Sequence, residues 1–182
     1  AECLIPLIDK NEDQAIKTAT KIIDNFQTIY EQKWLDMMKS KLGLIGYNKD
    51  DLKLINSLLN WMKKSKADYT NTFCYLMGMP IKDEIYNDKN FIECLQAWKN
   101  RSTLNNSNKE NQFRLMKEVN PVIIPRNHKV EEALSDADKN NYEALYKLLS
   151  VIQNPYSPKV DVSDYQSPAA EPKEKYQTFC GT

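Results

Sequence analysis

From residue 12 to 42 the chain carries apolar side chains at three-and-four spacing: Ala15, Ile16, Ala19, Ile22, Ile23, Phe26, Ile29, Tyr30, Trp34, Met37 and Met38. That period gathers them on one face of a single long helix. Asn11 with Gln14 has capping-box spacing, and Gly43 stands where a helix ends in a left-handed residue. The stripe is expected to be core, each side chain contributing about 1.5–3 kcal/mol on burial before chain entropy is charged. No strand-period alternation of useful length occurs elsewhere in the chain. The fold class is therefore read as all-α.

Further helices follow by the same reasoning. One is expected over about Asp51–Lys64, with Leu52, Ile55, Leu58, Leu59 and Met62 inward. Asp68 suits the N-cap of a shorter helix through Tyr69, Thr72, Phe73, Leu76 and Met77, stopped by Gly78 and Pro80. A fourth starts near Asp88 and carries Phe91, Ile92, Leu95 and Trp98. Ser102–Asn108 is a polar loop, and a fifth helix spans roughly Lys109–Val119. The residue before each proline is pushed out of the helical region, so Pro121–Pro125 is extended. Val130–Ala137 and Asn141–Ile152 complete a hairpin, which makes an irregular bundle of about seven helices.

Beyond Gln153 the four prolines at 155, 158, 168 and 172 break any regular element. The expected organisation is a helical domain over 1–152 and an extended Pro-rich tail over 153–182. Such a tail either stays unfolded or lies along a surface, held by Tyr156, Tyr165, Tyr176 and Phe179.

Composition excludes several functions. Lys plus Arg equals Asp plus Glu at 25 each, so no net field attracts nucleic acid or anionic lipid. No apolar run reaches the roughly 20 residues that span a bilayer, and the first residues do not form a signal peptide. Chain start at Ala1 rather than Met reads as a processed chain or an excised fragment. With four glycines, of which only Gly43 and Gly46 lie close, a phosphate-cradling loop is not expected. Cys3, Cys74, Cys94 and Cys180 form no CxxC pair, and His128 is the only histidine, so no zinc site is expected either. Scattered cysteines suit a reducing compartment, hence the cytoplasm, or a mitochondrion in a eukaryote.

Three places are candidates for more than packing. Arg126-Asn127-His128 follows Pro125 closely, and Asn127 or His128 suits a helix N-cap with Glu131 and Glu132 as dipole partners. The alternative is a site role for the triplet, although a histidine needs an orienting partner for chemistry. Arg126 has the planar fork for a phosphate or carboxylate ligand, or for a salt bridge to a neighbouring helix. Asp50-Asp51 and Asp136 with Asp138 are read as capping or solvated acids. Cys180, third from the end and followed by Gly181, is either a small apolar residue or a thiol free to meet another.

Two of these stretches occur together in one family. Asn120-Pro121-Val122-Ile123-Ile124-Pro125-Arg126-Asn127-His128 and the terminal Phe179-Cys180-Gly181-Thr182 resemble the C-terminal part of selenoprotein O (SelO) proteins. Weaker support comes from Trp34, Lys41-Leu42-Gly43-Leu44, Asp68-Tyr69-Thr70 with Phe73, Glu132-Ala133 and Leu148-Leu149. The resemblance implies a kinase-like protein adenylyltransferase that moves AMP from ATP to protein hydroxyls. It also implies that 1–182 belongs to the helical lower lobe, with the nucleotide-binding lysine, its glutamate and the metal ligands encoded earlier. The sequence has no Gly-rich loop, VAIK-like strand, HRD or DFG, so no catalytic residue transfers to this chain.

By the same resemblance, Cys180 is a redox position whose partner belongs to the kinase-like body, and the partners are that N-terminal body and protein substrates. ATP with Mg²⁺ or Mn²⁺ is expected for the full-length parent and none for this fragment; neither nucleic acid nor membrane is an expected partner. Asn120, Pro121, Pro125, Arg126, Asn127 and His128 stand as a motif loop, structural or near a site. Competing readings are a stand-alone helical interaction module and a redox-sensing domain centred on Cys180.

Overall fold

The computed structural model describes residues 2–104, 108–159 and 161–169. Among these the fold is all-α, with helices α1 (Ile5–Ile8), α2 (Glu12–Lys41), α3 (Asp51–Ser65), α4 (Tyr69–Leu76), α5 (Lys89–Ser102), α6 (Lys109–Val119), α7 (Asn127–Ala137), α8 (Glu143–Ile152) and α9 (Ser163–Gln166). The seven expected helices are present. Two single turns, α1 and α9, and 3-10 turns at Glu2–Leu4 and Glu84–Asn87 were not anticipated. The chain separates into two compact units, Ala1–Lys39 and Ser40–Thr182.

The first unit holds α1 and nearly all of α2. The Asn11 side chain accepts from the Gln14 N–H at 3.0 Å, as its spacing predicts. The core expectation for α2 fails, however. Ala15 and Met38 are buried, whereas Ile22, Ile23, Phe26, Ile29 and Tyr30 are between 51% and 66% exposed. Periodicity fixes which face of a helix seeks a partner, not whether a partner lies within the same compact unit.

The second unit has its own core. On α3, Ile55, Leu58, Trp61 and Met62 are buried, and Leu52, expected inward, is exposed. Trp61 is an inward residue absent from the expected set: its ring lies 4.4 Å from Phe91 of α5, and Tyr75 of α4 stacks on Tyr86 at 4.2 Å. Asp88 caps α5 through the Asn90 and Phe91 N–H groups and also accepts from Trp61 Nε1 at 3.0 Å. Helices α7 and α8 pack as the expected hairpin. On α5, Phe91 is buried and Ile92 is exposed.

Gly43 ends α2 with φ +64°, a conformation that costs an L side chain about 1–2 kcal/mol. A Cβ there would also lie 3.0 Å from the Gln112 carbonyl oxygen and the Met116 side chain of α6. Left-handed geometry and close approach both require glycine at this position.

The chain beyond Gln153 is not uniformly irregular. Val162 is buried with Val122, Ile123 and Val151, and Tyr165 packs against the same cluster. Tyr165 thus anchors as expected, Val162 was overlooked, and Tyr156 stays half exposed. Tyr176 and Phe179 lie outside the described residues.

Candidate functional site

The proline-bracketed run from Asn120 to His128 is tied down at both ends. Asn120, 1% exposed, closes α6, and its Nδ2 donates to the Lys41 carbonyl at 2.8 Å and the Met116 carbonyl at 2.9 Å. Lys41 Nζ answers by donating to Asn120 Oδ1 at 3.1 Å and the Val119 carbonyl at 3.3 Å. The ammonium also sits over the Phe73 and Tyr69 rings, at 5.1 and 5.6 Å. Burial holds the Lys41 pKa below its ordinary value. A helix-end asparagine and a distant lysine therefore give hydrogen-bond partners to the Lys41 and Val119 carbonyls at the ends of α2 and α6.

Between the prolines the backbone is paired on both sides. The Val122 N–H donates to the Pro155 carbonyl at 2.7 Å, and the Val122 carbonyl accepts from Gln166 Nε2 at 3.0 Å. Cys74, wholly buried on α4, brings its thiol within 3.9 Å of the Pro121 and Val122 carbonyls. Burial, reinforced by the charge of Asp68, pushes that thiol up to about 11. It is an inert structural cysteine.

Arg126 forms the junction. Its Nη1 and Nη2 donate to the two Asp68 carboxylate oxygens at 2.6 and 3.0 Å, Nη2 to Asn71 Oδ1 at 3.3 Å, and Nε to the Tyr165 carbonyl at 3.2 Å. Asn71 Nδ2 in turn donates to the Gln166 carbonyl at 3.0 Å. Burial alone would raise the Asp68 carboxyl, but the Arg126 and Asn71 hydrogen bonds and the guanidinium charge bring it below the usual carboxylate range. Asp68 also accepts from the Asn71 N–H as the N-cap of α4. One carboxylate thus caps a helix and holds the motif arginine.

Of the two openings left for Arg126, the salt bridge is what the structure contains. The capping expectation is corrected: Arg126 itself is the N-cap of α7 and makes no side-chain cap, while Asn127 and His128 lie inside the first turn. The extended Arg126 backbone after Pro125 starts the helix, and its side chain is committed to Asp68. Pro125 and Asn127 are exposed, and His128 is half-buried. Glu132 pairs with Lys129 at 2.9 Å rather than serving the α7 N-terminus, whose first turn holds no acid. Cys180 lies outside the described residues.

A second ion pair escaped the sequence. Asp51, read as a capping or solvated acid, is 2% exposed and receives Arg101 Nε at 2.6 Å and Nη2 at 3.1 Å. Arg101 also donates to the Ile45 and Gly46 carbonyls, which fixes the turn after Gly43. The pair is part of the lining of an open groove of about 950 Å³ between α3 and α5, lined by both signs of charge. No local signal could reveal it, because the partners are 50 residues apart. Among the described residues no three His, Cys, Asp or Glu side chains converge as metal ligands.

The sequence that carries these residues is similar to that of known proteins. The sequence model of the family described as protein adenylyltransferase SelO matches residues 1–153. The chain belongs to the SelO family. A relative in Pelagibacter ubique, named protein nucleotidyltransferase YdiU, is 49% identical over 183 residues, covering 100% of this chain and 38% of its own. Proteins of the same name in Nitrosococcus oceani and Bacillus cereus are 40% and 42% identical over 184 residues, again across all of this chain and 37% and 38% of theirs. This SelO-family chain therefore spans well under half the length of the curated relatives it matches. Among its described residues, no helix is long and apolar enough to cross a membrane.

Proposed function

We propose that this chain is the C-terminal helical region of a SelO-like protein adenylyltransferase. The full-length parent transfers AMP from ATP to Ser, Thr or Tyr hydroxyls of protein substrates. Residues 1–182 support its kinase-like lobe and carry none of the reacting groups.

The observation that carries this reading is the commitment of Arg126. In the motif that the family resemblance singles out, the guanidinium fork suited to grip a phosphate is spent on the N-cap of α4. Arg101 is likewise consumed by Asp51. These residues do not fit an ATP–metal site, so the reading assigns that site to the remainder of the parent. There, Mg²⁺ or Mn²⁺ would spread the phosphate charge during transfer. Cys180 is the proposed redox position, paired with a cysteine of the kinase-like body, and the cytoplasm is the proposed compartment.

Incubation with ATP labelled on its α-phosphate, Mg²⁺ or Mn²⁺ and a mixed protein substrate tests the assignment. The parent is expected to label protein and residues 1–182 alone to label none. Labelling by 1–182 alone would overturn the scaffold reading. An inactive parent would overturn the adenylyltransferase reading.

A further inference from the structure

The face of α2 from Ile16 to Met37 is apolar and open. Ile16, Ile23, Tyr30 and Met37 recur every seven residues and are 43%, 61%, 57% and 49% exposed. Ile22, Phe26 and Ile29 flank them at 64%, 66% and 51%. At 1.5 Å of rise per residue the strip runs for about 30 Å. Phe26 and Tyr30 already stack on each other, with ring centroids 6.1 Å apart, forming an aromatic ridge at mid-strip. Soluble monomers seldom leave so continuous an apolar strip in water.

Its width indicates what covers it. With Ile16, Ile23, Tyr30 and Met37 as heptad position a, Ala19, Phe26 and Lys33 fall at d and Ala15, Ile22, Ile29 and Asp36 at g. A two-stranded seam is narrow, apolar at a and d only, and selects its partner by charges at e and g. Here g is mostly apolar and a lysine occupies one d position. An a-d-g stripe suits a helix laid on a layer of several helices, not a pairing of two like strands. Because the chain spans 38% of the Pelagibacter ubique relative, more than half of such a polypeptide lies outside the matched residues.

We infer that the Ile16–Met37 face of α2 packs on an apolar helical surface in the remainder of the parent polypeptide. This rests on the reading of the chain as one region of a longer adenylyltransferase, and it names the surface by which that region is joined. Phe26, the most exposed of the seven, is the central anchor.

Hydrogen exchange on the full-length parent and its Phe26→Asp variant tests the inference, with AMP transfer and sedimentation measured on the same samples. Peptides covering 16–37 are expected to exchange roughly tenfold slower in the parent than in the variant, while α3 and α5 are unchanged. In case the charged variant fails to fold, Phe26→Cys gives a second reading: the introduced thiol should react roughly tenfold slower in the native than in the unfolded parent. An active parent in which the strip exchanges as fast as in the variant, or the thiol reacts at its unfolded rate, overturns this inference and leaves the adenylyltransferase reading intact. A protected strip in a parent without AMP transfer does the reverse. A parent dimer that Phe26→Asp converts to monomers assigns the face to a second copy and also overturns the inference.

Discussion

Arg126 and Asp68 meet fork to fork, two nitrogens on two oxygens at 2.6 and 3.0 Å, although 58 residues separate them. The pair couples the start of α7 to the start of α4, and through the Tyr165 carbonyl it also ties down α9. Arg126→Lys keeps the charge but loses the planar fork, and should lower stability by about 1.5–3 kcal/mol in urea unfolding.

Acid should weaken the same junction. The Asp68 pKa is depressed in the folded state, so its contribution is complete above the ordinary carboxylate range and is lost as pH falls through the lower folded value. Urea midpoints of the wild type should therefore fall below about pH 4. Those of Asp68→Asn should start lower and change less over that window.

The side chains of Asp51 and Arg101 are only 3% and 7% exposed. Arg101→Ala strands a buried carboxylate and should cost about 3–5 kcal/mol. The double variant Asp51→Leu, Arg101→Met removes both charges and should recover much of that loss. A double-mutant cycle in urea measures the recovery.

Replacing Gly43 by alanine meets left-handed strain and the Gln112 carbonyl together. The expected loss exceeds the 1–2 kcal/mol or so of the backbone strain alone, read from thermal or urea unfolding. Gly78→Ala serves as the comparison, since its φ is also positive but no atom lies within 4 Å of the added Cβ. It should lose less.

Much of the scaffold was legible in the sequence because its signals are local. The Asn11 and Asp68 caps, the helix start near Asp88, the Gly43 and Gly78 stops and the 3.6-residue period each act within a few residues. The long-range ties were not legible. Asn120 reaches Lys41 across 79 residues and Gln166 reaches Val122 across 44, and no spacing rule connects them. The exposure of Ile22, Ile23 and Phe26 was hidden for a related reason: a period records a face, while burial depends on what is laid against it. At the candidate site, the fork of Arg126 was visible in the sequence, but its carboxylate partner was not.

Cys74 and Cys3 should differ sharply toward alkylating reagents. Cys3 is exposed; Cys74 is fully buried and its thiol is pushed up to about 11. Peptide mapping after iodoacetamide at neutral pH should find Cys3 modified and Cys74 untouched until urea unfolds the chain. The neutral Cys74 thiol contributes stability below its ordinary value of 9.0, and that contribution is lost as pH rises toward about 11.

Calorimetric titration of residues 1–182 with ATP in the presence of Mg²⁺ or Mn²⁺ bears on the scaffold assignment without intermediaries. The heats should match those of dilution, with no saturable site up to millimolar ATP. A saturable isotherm with a micromolar Kd would mean that these helices hold the nucleotide themselves.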